Sequence, residues 1–236
     1  MQEFTHKLIM ITLTQVTKRY LTKTAVDNIS LTTKKGEIIG FLGPNGAGKT
    51  TTMKLILGLL KPTSGEITVN NLDPVRQRLN VVSRIGYLPE NNPLYGEMKV
   101  REYLEFIASA KNVHKDEIVK VIGEASLSDA EFTKIEDLSR GYKQRVGMAA
   151  ALMGNPEILI LDEPTSGLDP IEQDKIKELI LKISEEKIVI FSTHILSEVE
   201  AVANRLVIIN AGKIVYDGSK PKGSGAVEKL FKKLLS

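Results

Sequence analysis

The segment from Gly43 to Thr50 constrains the fold more than any other part of the chain. It reads Gly-Pro-Asn-Gly-Ala-Gly-Lys-Thr, follows the apolar residues 38–42 and precedes a helix-forming segment that starts at Thr51. A strand, a glycine-rich loop and a helix in this order are typical of phosphate-binding loops. The glycines let backbone N–H groups close around an anion at a helix N-terminus, where the helix dipole favours negative charge. We therefore predict a phosphate site rather than a glycine-rich turn without function.

The residues of this loop have expected roles in binding a nucleoside triphosphate. The Lys49 ammonium is expected to meet the β- and γ-phosphates and to act in catalysis, and the Thr50 hydroxyl is expected to ligate Mg²⁺. Further contacts are expected from the loop and the start of the helix, namely from Gly43, Pro44, Asn45, Gly46, Ala47, Gly48 and Thr51.

A pair of carboxylates follows a second apolar strand. Residues 158–161 are Ile-Leu-Ile-Leu, and Asp162 and Glu163 come next. Two adjacent acidic residues could be a solvated helix cap, but open parallel sheets bind their ligands at this end of the strands. Asp162 is predicted to hold Mg²⁺ through its water shell. Glu163 is predicted to orient and deprotonate the attacking water.

Short β-rich runs alternate with helical segments, which predicts an α/β fold with a mostly parallel sheet and helices on its faces. The expected central strands are residues 38–42, 85–87, 158–161, 188–192 and 206–210. Residues 11–16 and 66–70 are expected to form an antiparallel flank, joined through the turn-rich segment 61–65. Between about 91 and 138 the pattern changes to helical spacing, shown by Val100, Tyr103, Leu104 and Ile107, and predicts a helical insertion.

These patterns predict one domain over residues 10–218, followed by a linker and a short basic amphipathic tail over 219–236. The first nine residues lack the order of a signal peptide and are interpreted as an extension, since Met10 is a possible start. Val227, Leu230, Phe231 and Leu234 share one face of the tail, which is expected to dock on the domain.

Composition limits the partners. The net charge of +3 is too small to argue by itself for nucleic acid or a lipid surface. The absence of Cys excludes disulfides and thiolate metal sites. No apolar run approaches the roughly 20 residues that span a bilayer, so a membrane role requires another chain.

Four further segments occur in chain order: Tyr20, Leu-Ser-Arg-Gly-Tyr-Lys-Gln-Arg at 138–145, Pro-Thr-Ser-Gly-Leu-Asp-Pro at 164–170, and Thr193-His194. With the phosphate loop and the Asp162-Glu163 pair they make six ordered motifs. Together they resemble the ABC ATPases over roughly residues 11–217, and so many motifs in order argue against coincidence. Taken singly, His194 would more often be a capping or packed histidine and Tyr20 a core tyrosine.

The resemblance implies a P-loop NTPase core with an N-terminal antiparallel β subdomain, and Mg²⁺-dependent ATP hydrolysis. It implies that Tyr20 stacks on adenine and that His194 contacts the γ-phosphate. Ser139 and Gly141 would serve the ATP of an opposite subunit, and Asp169 would cross between subunits. The expected assembly is a homodimer, or a pair with a related ATPase subunit, beneath a separate transmembrane permease on the cytoplasmic side of the membrane. No nucleic-acid partner is expected.

Two departures from the common pattern point to a branch of this family. Glu90 stands where most members have Gln, and a carboxylate there could ligate Mg²⁺ or add negative charge beside the γ-phosphate. Residues 139–142 read Ser-Arg-Gly-Tyr rather than Ser-Gly-Gly-Gln. Residues 86–95, 100–103 and 139–146 together resemble the ATP-binding subunits of ABC type-2 exporters of the gliding-motility and multidrug-export branch.

Two other functions are possible for a chain with these motifs. An ABC ATPase acting on nucleic acid or the ribosome normally has a long coiled-coil insertion or two cassettes, and this chain has one cassette. A regulatory module that binds ATP without turnover is disfavoured by the intact set Lys49, Asp162, Glu163 and His194. Just beyond Glu90, which marks the junction between the nucleotide core and the insertion, Leu94 and Tyr95 are expected to be exposed for a partner helix, and Tyr103 to be core.

Overall fold

The computed structural model describes residues 10–185 and 187–235, so the proposed extension over residues 1–9 lies outside the described residues. The strands are β1 (Ile11–Tyr20), β2 (Lys23–Thr32), β3 (Ile38–Leu42), β4 (Ser64–Val69), β5 (Ile85–Leu88), β6 (Ile158–Asp162), β7 (Ile188–Thr193), β8 (Arg205–Asn210) and β9 (Lys213–Ser219). The helices are α1 (Lys49–Ile56), α2 (Arg78–Val82), α3 (Val100–Ala110), α4 (Asp116–Glu124), α5 (Arg140–Leu152), α6 (Pro170–Ile183), α7 (Leu196–Val202) and α8 (Ala226–Leu235), with a 3₁₀ turn at Ile135–Asp137.

The central sheet has the strand order β5-β6-β7-β3-β8-β9 over these residues. Its first five strands run parallel, and β9 pairs antiparallel with β8 at the edge. Every residue of β3, β6 and β7 is buried, as expected for strands that are covered on both faces. The α/β prediction and its five central strands are confirmed, with ends that differ by at most one residue.

Alternate residues of the central strands supply two separate cores. In β6, Leu159 and Leu161 face the helical side, where α3 to α8 contribute most of the packing. Ile158 and Ile160 face the opposite side, where they share a core with α1 and the antiparallel sheet. Each such side chain contributes about 1.5–3 kcal/mol on full burial, so the sheet is stabilised from both faces.

The smaller sheet is antiparallel, with the order β2-β1-β4. This sheet confirms the predicted β subdomain. The prediction missed β2, however, and it is β2 that follows β1 in the chain. The 61–65 segment instead connects α1 to β4. The alternating pattern of β2 is broken because Ala25 and Val26 are both buried and Asn28 has a φ of 51°, which shifts the register.

The helical segment begins as predicted, with Val100, Tyr103 and Leu104 of α3 buried. It continues beyond residue 138, because α5 packs against both α3 and α4. The expected exposure of Leu94 is wrong, since this side chain is half-buried against the core, whereas Tyr95 is 54% exposed. Among the described residues, no helix has the length and apolar character needed to cross a bilayer.

The C-terminal tail forms α8 and packs against α7. Val227 is fully buried, and the half-buried Leu230, Phe231 and Leu234 extend the same contact. The expectation that the tail docks on the domain is confirmed. β9 reaches Ser219, one residue past the predicted domain limit, since an edge strand with alternate exposed residues has little apolar signal.

Val227→Asp should release α8, because the aspartate would place an unpaired charge in the core. We expect a lower melting temperature, at roughly 2–4 °C per kcal/mol for a domain of this size, and faster proteolysis of the tail. Lys229→Asp introduces the same side chain at an exposed position and serves as the control. Equal protease resistance of Val227→Asp and the parent chain would contradict this account.

Candidate functional site

A cavity of about 530 Å³ opens beside the phosphate loop. Its lining includes predicted site residues from the phosphate loop and from the ends of β1, β5, β6 and β7. Three further lining residues were not predicted. The predicted ones are Tyr20, Asn45, Gly46, Gly48, Lys49, Thr50, Thr51, Glu90, Glu163 and His194, and the others are Lys23, Ala25 and Ser166. The parallel strands bring these side chains together because their carboxyl ends meet at one edge of the sheet.

The phosphate loop is held in shape by its own backbone. Gly48 precedes α1 with a φ of 113°, and a Cβ there would lie 2.4 Å from the Ala25 carbonyl oxygen, so no other residue fits. The buried Lys49 Nζ donates to the carbonyl oxygens of Gly43, at 2.8 Å, and Pro44, at 3.3 Å. The ammonium therefore lies under the loop, where an anion bound by the loop would meet it.

Glu163 contacts two of the predicted catalytic side chains. Its Oε1 lies 3.4 Å from Lys49 Nζ, and its Oε2 lies 3.0 Å from His194 Nδ1. Glu163 is buried, whereas the His194 side chain is 46% exposed at the mouth of the cavity. One carboxylate thus has a cation on one side and a titratable imidazole on the other.

The backbone of Glu163 is strained. Its φ of 49° lies in the left-handed region, which costs a non-glycine residue roughly 1–2 kcal/mol. Its N–H donates to Ser192 Oγ at 2.9 Å, and its carbonyl accepts from the Ser166 N–H at 3.1 Å. Strain of this kind persists where the surrounding contacts over-determine the backbone, and it often marks functional turns.

Asp162 fits the predicted role in holding Mg²⁺. Its Oδ1 accepts from Ser192 Oγ at 2.5 Å and from Thr50 Oγ1 at 3.2 Å. Its Oδ2 is buried and, among the described residues, has no hydrogen-bond partner. A free carboxylate oxygen beside a threonine hydroxyl matches the oxygen ligands that Mg²⁺ prefers.

The other ligands of such an ion would be water and phosphate oxygens, which Mg²⁺ commonly retains. The parts of the chain that the structure covers contain no cluster of three or more His, Cys, Asp or Glu suited to a metal. Glu90, the other predicted ligand, is exposed at the rim of the cavity.

The Ser192 hydroxyl was not predicted to matter, although it is the first polar side chain after the apolar residues 188–191. It contacts both Asp162 and the Glu163 N–H, and so ties β6 to β7. Glu198, in α7, is the other residue that the sequence analysis missed. It is buried and accepts hydrogen bonds from Thr165 and Thr193, and the one available signal was its position four residues after His194.

Tyr20 and Lys23 form the outer edge of the cavity, at the turn between β1 and β2. The Tyr20 side chain is 43% exposed, and Lys18 Nζ lies 5.1 Å from its ring centroid. The alternative that Tyr20 is a core residue is therefore excluded. Its role in adenine stacking stays a prediction.

Seven predicted residues do not line the cavity: Gly43, Pro44 and Ala47 of the phosphate loop, Asp162 at the end of β6, and Ser139, Gly141 and Asp169 at the starts of α5 and α6. Ser139 is exposed and caps α5, its Oγ accepting from the Tyr142 N–H at 3.3 Å. Asp169 is exposed and caps α6, its Oδ1 accepting from the Glu172 N–H at 3.0 Å. Gly141 is buried against the Glu172 side chain, which would lie 2.5 Å from a Cβ at that position.

A buried hydrogen bond connects α5, which Ser139 caps, to the turn that carries Glu163. Gln144 Nε2 of α5 donates to the Pro164 carbonyl oxygen at 2.8 Å, immediately after Glu163.

Comparison with known proteins agrees with this geometry. The sequence pattern of the ABC transporter family matches residues 26–166. YhaQ of Bacillus subtilis, an uncharacterized ABC transporter ATP-binding protein, is 40% identical over 89% of this chain and 71% of its own length. BcrA of Bacillus licheniformis, a bacitracin transport ATP-binding protein, is 41% identical over 88% of this chain and 69% of its own.

A solved structure gives the same result. The MJ0796 ABC transporter cassette, determined as a dimer and in a post-hydrolysis state with ADP and Pi, has a TM-score of 0.81 and 27% identity. It matches 90% of this chain and 100% of the cassette chain. The fold and the site thus define an ATPase with a phosphate-binding loop. The chain belongs to the ATP-binding proteins of the ABC transporter family.

The carboxylates at the cavity also act on Tyr87, at the end of β5. Burial, followed by the charges of Asp162 and Glu90, raises the pKa of Tyr87 to about 12 from 10.0. In the unfolded chain the phenol ionises near its ordinary pKa of about 10, so above pH 10 the unfolded state binds fewer protons than the folded state. The stabilisation is therefore complete below pH 10 and is lost as the pH rises toward 12.

Tyr87→Phe should remove this contribution to the loss of folding stability above pH 10. Relative to the parent chain, the variant should lose less stability between pH 10 and pH 12, as measured by denaturant unfolding at each pH. In a tyrosinate absorbance titration of the folded protein, it should lack one of the most alkaline transitions. Parallel stability curves for the two chains over this interval would refute the assigned environment of Tyr87.

Proposed function

We propose that this chain hydrolyses ATP with Glu163 as the general base, and the contacts of Glu163 with Lys49 and His194 are the observation that carries the proposal. The phosphate loop would bind the triphosphate, with Lys49 on the β- and γ-phosphates and Tyr20 against adenine. An arriving γ-phosphate would draw Lys49 away from Glu163. The carboxylate would then be free to accept a proton from the attacking water.

His194 would hold the γ-phosphate and the Glu163 carboxylate in a fixed relation. Its Nδ1 is already within hydrogen-bond distance of Glu163 Oε2. Thr50 Oγ1 and Asp162 Oδ2 would hold Mg²⁺, which when bound neutralises charge on the β- and γ-phosphates. Glu90, at the rim, would face the same end of the nucleotide.

The active form would be a dimer with two composite sites. Ser139, Gly141 and Asp169 lie outside their own cavity, so a second subunit would bring its own α5 N-terminus to the bound nucleotide. A homodimer, or a pair with a related ATPase subunit, satisfies this requirement. ATP binding would close the dimer, and hydrolysis would reopen it.

Glu163→Gln should keep ATP binding but lower kcat by about 10²–10⁴-fold, because a positioned base is lost while the shape is kept. It should also accumulate as a dimer with ATP in size-exclusion chromatography. Glu178→Gln, an exposed change of the same type, should behave as the parent chain. Normal turnover of Glu163→Gln would remove Glu163 from the mechanism, and a persistent monomer that hydrolyses ATP at high dilution would exclude composite sites.

The membrane partner is proposed to bind in a second, larger groove. This junction groove, of about 770 Å³, lies between the central sheet and the helical segment and is mainly apolar. It is lined by residues that include Leu57, Leu59, Leu79, Val82, Tyr87, Pro93, Tyr103 and Ile107. A mainly apolar groove of this kind suits an amphipathic helix of another chain.

The junction groove and the nucleotide cavity share the segment at the end of β5. Tyr87 and Pro89 line the groove, and Glu90 lines the cavity. At its rim the exposed Tyr95 makes edge-to-face contacts with Tyr103 and Phe106, at centroid distances of 6.1 and 5.7 Å. A nucleotide-dependent shift at Glu90 would therefore reach a helix in the groove.

We infer an exporter in which this subunit lies on the cytoplasmic side of the membrane beneath a separate transmembrane permease. The branch resemblance supports export, and the relative BcrA is named for bacitracin transport. An ABC ATPase that acts on nucleic acid or the ribosome is the alternative. The apolar character of the junction groove favours a protein helix over nucleic acid, which would require a basic surface.

Leu79→Asp and Tyr95→Ala should weaken assembly with the membrane subunit while ATP affinity stays unchanged. Leu79 is 83% exposed in the groove, so its replacement should not unfold the chain. A large apolar anchor contributes about 2 kcal/mol or more, which lowers affinity at least roughly tenfold. Co-purification from membranes, with nucleotide titration in parallel, measures both effects.

Val119→Asp is the matched control, because Val119 is 63% exposed on α4 and does not line the groove. It should assemble like the parent chain. Unchanged assembly of both groove variants would place the membrane contact elsewhere.

A further inference from the structure

Glu198 is a buried residue of α7, and each of its two carboxylate oxygens accepts a hydrogen bond from a different segment of the chain. Its side chain is 3% exposed. Its Oε1 accepts a hydrogen bond from Thr165 Oγ1, and its Oε2 accepts one from Thr193 Oγ1 at 2.5 Å. The two hydroxyls are therefore its partners.

Both threonines adjoin the residues at the centre of the nucleotide cavity. Thr193 immediately precedes His194, and its Oγ1 also accepts from the Ile195 N–H at 3.0 Å, so the backbone is held on both sides of the histidine. Thr165 follows Glu163 by two residues, in the turn where Glu163 has its left-handed φ. Glu198 thus connects the turn of Glu163 to the turn of His194.

The helix that carries Glu198 is itself anchored. Val199 is fully buried against Gly40 of β3, where a Cβ would lie 3.0 Å from the valine side chain. On its other side α7 contacts α8. Because α7 cannot shift without opening these contacts, Glu198 is a fixed point from which both turns are positioned.

We propose that Glu198 is a positioning residue for ATP hydrolysis: it holds Glu163 and His194 in register through the Thr165 and Thr193 hydroxyls. The proposal rests on the roles given above to Glu163 and His194. A carboxylate suits this position because each of its oxygens accepts from one threonine. A glutamine has a single side-chain acceptor oxygen, so its NH₂ group would face the second threonine, whose hydroxyl must then rotate from donor to acceptor.

The proposal predicts a loss of turnover with little change in nucleotide affinity. Glu198→Gln and Thr193→Val should each lower kcat roughly ten- to a hundredfold, since a misplacement of about 1 Å at reacting groups can cost about a hundredfold. Thr193→Ser keeps the hydroxyl and should restore kcat to within about twofold of the parent chain. ATP affinity should change less than about threefold in all three variants, because no altered group lines the cavity.

A double-mutant cycle tests whether the two residues act together. Glu198→Gln combined with Thr193→Val should be little worse than the more damaging single change, because both disrupt the same contact. Thr33→Val is the matched control. Thr33 is also fully buried, and its Oγ1 accepts from the Ile11 N–H at 2.9 Å, remote from the cavity, so this variant should lose stability without losing kcat.

Three outcomes separate the possibilities. If Thr193→Val and Glu198→Gln turn over like Thr33→Val at equal stability, the positioning role is overturned. If Thr193→Ser is as slow as Thr193→Val, the hydroxyl is not the cause and the proposal fails. If Glu163→Gln and His194→Ala themselves retain full kcat, the proposed function fails first, independently of the result at Glu198.

Discussion

The register of three parallel strands is the constraint on which the site depends. Leu42 of β3 pairs with Thr193 of β7, and Ser192 of β7 pairs with Asp162 of β6. This register brings the phosphate loop, the acidic pair and the histidine to one edge, although they are far apart in the chain. A shift by one residue would turn every side chain of a strand to the opposite face, so the two cores and the site are specified together.

The catalytic turn is maintained against its own strain. Glu163 keeps a left-handed φ while Ser192 accepts its N–H, and Gln144 contacts the next residue of the turn. Such a turn is stiff only while these contacts remain intact. Buried polar networks of this kind impose a unique geometry when every member is satisfied, and they are costly when one is not. Here the network fixes the backbone of the turn that carries Glu163.

The predicted site residues of one chain do not all line its own cavity. The capping residues Ser139 and Asp169 are exposed and do not line the cavity. Gln144, which lies on the helix that Ser139 caps, contacts the turn that carries Glu163. At the other side, the end of β5 contributes to both the nucleotide cavity and the junction groove. Under the proposed mechanism, a bound nucleotide would therefore adjoin one part of the chain that faces a second subunit and another that faces the groove.

The sequence by itself determined the α/β class, the central strands and most of the residues that line the cavity, with Lys23, Ala25 and Ser166 as the exceptions. Those features are encoded locally, in continuous apolar runs, in glycine positions and in ordered motifs. It did not reveal β2, whose alternation is broken at Ala25 and Val26, or β9, whose alternate residues are exposed, and both strands are held by pairing with their neighbours. It misjudged Leu94, because a loop rich in proline and asparagine gives no sign of the core beneath it. The roles of Ser192 and Glu198 were decided by the tertiary structure alone, because a hydrogen bond between distant loops exists only once the strand register and the anchored helix have brought its donor and acceptor together.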